Sequence, residues 1–472
     1  MKPAVTLLAT AVCVAVLAAG DDRQAVARDG TTPLHLAARA GDAAAVTRLL
    51  REGADARAAN RYGVTPLALA AENGSAAVIN ALLGAGADPN GSLSNGQTML
   101  MIAARTGNPD AIKALVARGA NVQAKESVLG ENAVIWAAVE DHAAAVAALA
   151  AAGADVNARS DVTKFPRRDY GDGKSGRFTV LPRGGWTPLM YAARQDARAA
   201  AGALIAAGAR LNAIDPDGTT ALTFAIINAH YDLAAALIEA GADPNIADVR
   251  GMTPLYAAVD MNTLDETPGR PAPKINGSLD TPQMIERLLA RGADPNAALK
   301  GIVLERVHNN GDPVLGDGAT PLMRAARKAD VPAMRLLLAH GADATRTMRG
   351  GVTAAMIASG FGGQVRFAEY NQKTGTEHDA EECVRLCLEG GADVNAVNDA
   401  GQTVLHIAAA QRDERFIRFL VARGARLGLR DKQGRTPLDV AMGVGGGRGR
   451  GGRAPAAREP IAAVLRELGA ER

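Results

Sequence analysis

Two glycine-containing segments have a spacing that could bind phosphate groups. Gly173-Lys174-Ser175 resembles the end of a phosphate-binding loop, in which backbone N–H groups surround the phosphate and a lysine neutralises it. That motif needs a glycine five residues before Gly173, where this chain has Arg168. Gly447-x-Gly449-x-x-Gly452 fits a dinucleotide fingerprint by spacing, but it lies in Gly- and Arg-rich sequence after a predicted helix. Neither segment predicts a nucleotide site; for the second, a weak nucleic-acid contact through its arginines is the alternative.

Cysteine, histidine and acidic residues, which could support thiol or metal chemistry, are concentrated between positions 377 and 387. Cys383 and Cys387 are four residues apart on a predicted helix, where Cβ atoms about 5–6 Å apart are too distant for a disulfide. They replace Val and Leu of comparable segments, which predicts buried, unreactive thiols. Glu377-His378-Asp379, with Glu381-Glu382 nearby, has no second histidine at ligand spacing, so we interpret it as an acidic helix start. No metal and no cofactor are predicted.

Acid–base catalysis would need a histidine with suitable partners. His308 stands in an irregular segment, whereas other histidines occupy recurring positions along the chain, namely His35, His142, His230, His340 and His406. No nucleophile, base and orienting residue occur together, so we predict that the chain is not an enzyme. The 52 basic and 50 acidic side chains give a net charge of +2, which argues against a protein that coats nucleic acid or an anionic membrane.

The elements that carry these residues come from one pattern repeated about eleven times. In one copy, residues 61–67 read Arg-Tyr-Gly-Val-Thr-Pro-Leu, followed by Ala70-Ala71, Leu82-Leu83 and a Gly-Ala-Asp-Pro-Asn segment at 86–90. Many of the copies are spaced by 33 residues. The threonine, replaced once by asparagine, recurs at Thr32, Thr65, Thr98, Asn132, Thr187, Thr220, Thr253, Thr320, Thr353, Thr403 and Thr436. A period of this length predicts stacked helical units with one continuous core instead of several globular domains.

Each copy predicts a turn, a helix, a second turn and a second helix. The threonine can cap the first helix, the following proline suits its first position, and the Ala-Ala pair allows close helix packing. The Leu-Leu pair marks the buried side of the second helix, which ends at a glycine such as Gly53 or Gly86. Thr-Pro-Leu-His-Leu-Ala-Ala at 32–38 resembles the signature of the ankyrin-repeat family, and the resemblance covers about residues 28–472. We therefore predict an all-α ankyrin-repeat solenoid with short β-turn fingers, forming a single array over 21–472.

Departures from the period mark five insertions. They lie at about 158–183, 262–280, 297–316, 362–382 and 443–453. The first extends the finger between repeats 4 and 5 and combines arginine and lysine with aromatic residues; the second is rich in proline; the fifth is almost entirely Gly and Arg. Long loops in repeat proteins are either binding elements or disordered, so the first is a candidate contact surface or a solvated loop.

The first twenty residues predict a secretory signal peptide. Lys2 is followed by an uncharged stretch, and Ala18 and Gly20 are the small residues that precede cleavage before Asp21. The apolar run of 17 residues leaves an uncleaved anchor as the alternative. Val12 precedes Cys13 where a lipoprotein signal would have a small residue, so lipidation is not predicted.

The resemblance implies a non-enzymatic scaffold that binds another protein through finger tips and a concave helix face. The positions that match those surfaces here are Arg61, Tyr62, Glu72, Arg167, Arg168, Tyr170, Arg183, Trp186, Arg194, Asp217, Asn228 and Arg327. The chain also resembles large exported bacterial ankyrin-repeat proteins, so we expect a periplasmic or extracellular location. Two alternatives stay open: an enzyme, or an accessory to one, with a site built from the insertions of repeats 4–9, and anion or nucleic-acid binding by the finger at 164–183.

Overall fold

The computed structural model describes residues 27–169, 177–263, 274–303, 312–362, 376–444 and 457–471. The predicted signal peptide, Tyr170, His308 and most of the fifth insertion lie outside these residues. The chain divides into two compact units, residues 1–121 and 122–472. The prediction of a single array over 21–472 remains a prediction.

The first unit contains three helix pairs in its described residues. They are α1 (Pro33–Ala40), α2 (Ala43–Arg51), α3 (Pro66–Asn73), α4 (Ala76–Gly84), α5 (Met99–Thr106) and α6 (Pro109–Ala117). First helices pack on first helices and second helices on second helices, α1 on α3 on α5 and α2 on α4 on α6. Leu82 and Leu115 are completely buried at the same position of successive second helices.

The second unit continues the same helix-pair pattern. Its described helices are α7 (Ala133–Val139), α8 (Ala143–Ala151), α9 (Pro188–Gln195), α10 (Arg198–Ala206), α11 (Ala221–Ile227), α12 (Tyr231–Glu239), α13 (Pro254–Asn262), α14 (Thr281–Ala290), α15 (Pro321–Arg327), α16 (Val331–Ala339), α17 (Ala354–Ala358), α18 (Glu377–Glu389), α19 (Val404–Gln411), α20 (Glu414–Ala422), α21 (Pro437–Ala441) and α22 (Glu459–Glu467). Leu149, Leu237 and Leu337 are completely buried along the second helices, as the repeat pattern predicts. The predicted solenoid of ankyrin type is confirmed.

The predicted helix ends are confirmed by their hydrogen bonds. The Thr65 hydroxyl accepts from the N–H of Ala68 at 3.2 Å, and the same cap begins the other first helices. Asn132 replaces threonine at α7 and accepts from the N–H of Ile135 at 3.0 Å. The glycines after the second helices, Gly53 and Gly86 among them, have φ near 90°, in the left-handed region that favours glycine.

Asparagine side chains join successive repeats. In the first unit, Asn90 Nδ2 donates to Gly119 O at 2.9 Å, while its Oδ1 accepts from the N–H of Asn121 at 2.7 Å. The same pair of bonds recurs in the second unit at Asn157, Asn245, Asn296 and Asn395. Each asparagine therefore satisfies an exposed helix-end carbonyl of the following repeat.

The first insertion folds into a β-hairpin, which the sequence patterns did not predict. Strands β1 (Val162–Asp169) and β2 (Arg177–Gly184) pair antiparallel, with Val162 opposite Gly184 and Asp169 opposite Arg177. A second, two-residue pair joins β3 (Thr347–Met348) to β4 (Val352–Thr353) in a finger.

The fourth insertion is shorter than predicted, since α18 begins at Glu377 and not after residue 382. Thr376 accepts from the N–H of Asp379, whose carboxylate accepts from the N–H and hydroxyl of Thr376, so a reciprocal cap begins the helix early. The acidic segment that begins at Glu377 is therefore the start of a helix, as the sequence predicts. Cys383 and Cys387 are free and completely buried on this helix, and burial raises the pKa of the Cys387 thiol to about 12.

Candidate partner-binding surface

One buried or half-buried acidic or amide side chain shapes each of several finger turns. Asp215 Oδ1 accepts from the N–H groups of Asp217 at 3.0 Å and Thr219 at 2.7 Å. The side chains of Asn60, Asp248, Asn398 and Asp431 make the same two bonds in other fingers. Because the side-chain oxygen accepts hydrogen bonds from backbone N–H groups of the turn, it fixes the conformation of the residues that follow it at the tip of the finger.

In the second unit, several fingers carry exposed apolar side chains at or below their tips, and we call these side chains together the fingertip row. Its members are Val128, Leu129, Val162, Ile214 and Val249, and each is between 42% and 63% exposed. They lie on successive fingers before helices α7, α9, α11 and α13. Isolated exposed apolar residues are common on proteins, whereas several of them on adjacent elements make a candidate contact surface.

Hydrogen bonds join the neighbouring fingers that carry the row. The N–H of Asp161, beside Val162, donates to Leu129 O at 2.7 Å. The Arg159 guanidinium donates to Gly185 O and to Ile214 O, both at 2.7 Å. The N–H of Val249 donates to Asp217 O at 2.9 Å. Each tip is thus tied to the next one along the unit.

An aromatic cluster lies beside the row on the first helices. Trp186 packs edge-on against Tyr191 and Phe224, with ring centroids 5.3 and 4.9 Å apart. The Arg194 guanidinium lies 5.1 Å from the Trp186 ring centre, and the indole N–H donates to Asp215 Oδ2 at 3.1 Å. Tyr191 and Phe224 occupy the fourth position after the N-cap, as does Trp136 of α7. Three neighbouring first helices therefore present large aromatic rings at one register.

A half-buried carboxyl group lies under the aromatic cluster. Burial raises the pKa of Glu131 above its ordinary value, although hydrogen bonds with Tyr191 and Trp136 oppose that shift. Burial also raises the pKa of the Tyr191 hydroxyl, so it is a neutral hydrogen-bonding group at physiological pH. The cluster therefore combines apolar area with a few fixed polar atoms.

The predicted contact residues are spread over both units. In the first, Arg61 lies over the Tyr62 ring at 4.7 Å, Tyr62 is exposed at a fingertip, and Glu72 is exposed near the end of α3. In the second, Trp186, Arg194 and Asp217 lie together at the fingertip row and aromatic cluster. Asn228 ends α11, where its amide donates to Phe224 O at 2.8 Å. Arg167 and Arg168 lie on β1 and Arg183 on β2, while Tyr170 is outside the described residues.

Arg327 lies in a different environment from the one its repeat position indicates. Its side chain is only 7% exposed, and its Nε donates to Asp312 Oδ2 at 2.9 Å. Burial alone would raise the pKa of Asp312, but the Arg327 guanidinium outweighs it and leaves that pKa below its ordinary value. A partner could contact Arg327 only after this ion pair opened.

A second buried ion pair lies beside it, and the sequence analysis missed it. Arg324 Nε on α15 donates to Asp260 Oδ1 on α13, and both side chains are more than nine-tenths buried. Within the described residues, Arg324 Nη1 is buried without a hydrogen-bond partner. Repeat spacing could have indicated the pair, since Arg324 and Asp260 fall at positions that are aromatic and basic in repeat 5.

The stems of three insertions meet around these ion pairs. Asn262, which ends α13, donates to Asp330 Oδ2 at 2.6 Å; Arg327 Nη1 donates to Phe361 O at 3.3 Å; and Gly362 packs against Val314. The hairpin β1–β2 belongs to repeats 4 and 5. Among the described residues, no group of His, Cys, Asp and Glu side chains could hold a metal ion.

Comparison with known proteins supports the repeat assignment. A family model described as ankyrin repeats (3 copies) matches residues 8–92, 86–160, 189–266 and 375–446, and one for a single ankyrin repeat matches 317–348. The first of these matches includes residues 8–20 of the predicted signal peptide.

Curated relatives share only part of their length with this chain. Ankyrin repeat and SOCS box protein 16 of Homo sapiens is 32% identical over 133 residues, which is 28% of this chain and 26% of that protein. Inversin of Gallus gallus is 37% identical over 62 residues, 13% of this chain and 6% of that protein. Among solved structures, the ankyrin repeat domain of Bcl-3 is 28% identical and covers 48% of this chain and 94% of its own, with a TM-score of 0.39.

None of the helices in the described residues has the length and apolar character needed to cross a bilayer.

Proposed function

This chain belongs to the ankyrin-repeat family, and on that premise we propose that it is a non-enzymatic scaffold binding a partner protein through the fingertip row and the first helices α7, α9 and α11. Ankyrin repeats are generally protein–protein interaction modules. A repeat frame buries its own apolar spine and leaves fingers and first-helix surfaces free for contacts.

The fingertip row is the observation that carries this proposal. Exposed apolar area costs solubility unless a partner covers it, and contiguous patches rimmed by polar groups are typical of binding sites. The neighbouring Trp186 and Arg194 add the residue types that dominate the centres of protein interfaces. Because the tips are linked by hydrogen bonds, the surface is preorganised, and binding loses little conformational entropy.

Site-specific crosslinking in the native host tests the proposal. A photoreactive amino acid is placed at Ile214 in the row, which is 46% exposed, or at Val397 on a distant finger, which is 56% exposed, as the matched control. We expect one discrete crosslinked product from position 214 and none from 397. In the doubly substituted variant Val162→Asp/Leu129→Asp, that product should disappear while circular dichroism shows an unchanged fold. Equal products at 214 and 397 would contradict the proposal.

A site built from the insertions is the second candidate function. It is supported by the convergence of three insertion stems around α15 and by the unpartnered Arg324 Nη1. The purified chain, assayed alone against ester, phosphate and glycoside substrates, should then show turnover that Arg324→Met abolishes. Absence of turnover in all three assays would leave the scaffold as the only candidate.

We also propose that the chain is exported by a bacterial cell, to the periplasm or beyond. The support is the charge and apolar pattern of residues 1–20. Cell fractionation with N-terminal sequencing tests this: an exported chain beginning at Asp21 is expected, and a cytoplasmic chain that retains Met1 would contradict it.

A further inference from the structure

We propose that Asn90 is a site of spontaneous deamidation, and that its conversion to aspartate or isoaspartate weakens the pair of hydrogen bonds that joins repeat 2 to repeat 3. We call this pair of bonds the Asn90 joint. The proposal concerns the first unit and is independent of partner binding. Three observations carry it: the glycine that follows Asn90, the exposure of Asn90, and the two bonds that its side-chain amide makes.

The residue after Asn90 distinguishes this asparagine from the others that join repeats by the same two bonds. Asn90 precedes Gly91, whereas each of the others precedes a residue with a Cβ atom, in the pairs Asn157-Ala158, Asn245-Ile246, Asn296-Ala297 and Asn395-Ala396. A backbone nitrogen attacks the preceding asparagine side chain most readily when it belongs to glycine, because no Cβ atom obstructs the approach. The Asn90 joint is therefore the chemically labile one of these five.

The reaction needs only water besides the chain itself. The backbone nitrogen of Gly91 loses its proton and attacks Cγ of Asn90, so a new N–Cγ bond forms and the Cγ–Nδ2 bond breaks. The Nδ2 amino group leaves as ammonia with the proton taken from the backbone. Water then adds to one of the two carbonyl carbons of the cyclic imide, which opens to aspartate or to isoaspartate. Because the attacking nitrogen must be deprotonated, the rate rises with pH.

The turn that carries Asn90 is exposed, and the reacting atoms are held only by bonds at the surface. The N–H of Gly91 donates to Asp88 O at 3.2 Å, and the Asn90 side chain is tied at both ends. Exposed turns open locally at low free-energy cost, and such an opening frees the nitrogen and the side chain to react. Gly91 does not have a positive φ, and an added Cβ atom would meet Asp88 O at 3.4 Å, so alanine fits at this position.

Conversion of Asn90 removes the donor from the joint. In the amide form, Nδ2 donates to Gly119 O at 2.9 Å while Oδ1 accepts from the N–H of Asn121 at 2.7 Å. A carboxylate at position 90 has two acceptor oxygens and no N–H group, so an oxygen would face the Gly119 carbonyl and repel it. Isoaspartate also lengthens the main chain by one carbon atom. Either product therefore weakens the contact between the two repeats.

Asn245 provides a matched control within the same chain. It is exposed like Asn90, its Nδ2 donates to Gly292 O at 2.9 Å, and its Oδ1 accepts from the N–H of Asp294 at 2.8 Å. The full-length chain is aged at mildly alkaline pH, and peptide mapping by mass spectrometry measures the conversion at both positions. The variants Gly91→Ala and Ile246→Gly exchange the two sequence contexts. The mapping also reports separately on the other Asn-Gly pairs, at Asn73, Asn95, Asn276 and Asn310.

We expect Asn90 to be converted at least about ten-fold faster than Asn245 in the wild-type chain. Gly91→Ala should slow conversion at position 90 to the rate of Asn245, and Ile246→Gly should bring position 245 close to the rate of Asn90. Equal rates at the two positions in the wild type would overturn the proposal, and so would an unchanged rate at position 90 in Gly91→Ala.

Amide hydrogen exchange tests the effect on the Asn90 joint. In the Asn90→Asp variant and in the aged wild type, the backbone amides of residues 119–121 should exchange at least about five-fold faster than in the fresh wild type. The aged Gly91→Ala variant should exchange as the fresh chain does, because position 90 is still an asparagine. If Asn90→Asp exchanges at the wild-type rate over residues 119–121, the claim that conversion weakens the joint is overturned.

Discussion

The indole N–H of Trp186 donates to Asp215 Oδ2 at 3.1 Å, while the other oxygen of the same carboxylate holds the turn of the next finger. The two residues are 29 positions apart and belong to successive repeats. One carboxylate therefore shapes a finger and fixes the aromatic ring beside it, so the fingertip row and the aromatic cluster form one preorganised surface.

Replacing Trp186 should separate these two roles of Asp215. We expect Trp186→Phe to lower the free energy of unfolding by about 1.5–3 kcal/mol, because it removes a hydrogen bond to a charged group while it keeps an aromatic ring. Asp215→Ala should cost more, since it also frees the N–H groups of Asp217 and Thr219. Urea denaturation followed by circular dichroism measures both variants. In the Asp215→Ala background, Trp186→Phe should have little further effect, and strict additivity would contradict the coupling.

Restoring the repeat consensus at Asn132 should stabilise the second unit. Threonine caps the other first helices, whereas the Nδ2 of Asn132 is buried without a partner among the described residues. Asn132→Thr keeps the cap and removes the buried donor, so we expect about 1 kcal/mol of added stability. Thermal unfolding measures it, and Asn132→Ala, which loses the cap, should be destabilised in the same experiment.

Removing one member of the buried ion pair Asp260–Arg324 should destabilise the fold strongly, whereas replacing both with apolar residues should destabilise it much less. Arg324→Ala removes the arginine partner of the buried Asp260 carboxylate, so we expect a loss of about 3–5 kcal/mol in unfolding free energy. The double variant Asp260→Leu/Arg324→Met removes both charges at similar volume and should recover most of that loss. A double variant as unstable as Arg324→Ala would show that the fold itself needs the two charges.

His406 should make stability depend on pH. Its Nδ1 accepts from the N–H of Thr403 at 3.2 Å, so the proton of the neutral ring is assigned to Nε2, which donates to Arg435 O at 3.0 Å. Burial lowers the pKa of His406 below its ordinary 6.5, so the unfolded chain binds a proton more readily than the folded one. Stability from this group is therefore complete above about pH 6.5 and declines as the pH falls towards the lowered pKa. The melting temperature of wild type should fall on acidification more than that of His406→Gln.

Much of the fold followed from the repeat pattern alone. The capping threonines, the buried leucines of the second helices and the glycines in the left-handed conformation could all be predicted from the sequence. Each of these residues acts through neighbours within one helix or one turn. The same locality explains the correct interpretation of Cys383 and Cys387 as core thiols, since a position that holds Val or Leu in other copies is buried in this one.

The surroundings of the candidate site residues could not be predicted from the sequence, because the residues that they contact lie in neighbouring repeats or insertions. Arg327 has the repeat position of an exposed contact, yet Asp312 across an insertion buries it. The fingertip row escaped notice because a single apolar residue in a polar turn carries little weight until neighbouring fingers bring several together. Likewise, nothing local indicates that residues 162–184 pair as strands, because the two strands stabilise only each other.

The sequence by itself therefore determined the repeating unit, its helix ends and its buried spine. The tertiary structure alone decided which side chains of different repeats meet, since hydrogen bonds and ion pairs between repeats depend on distances that the period does not specify.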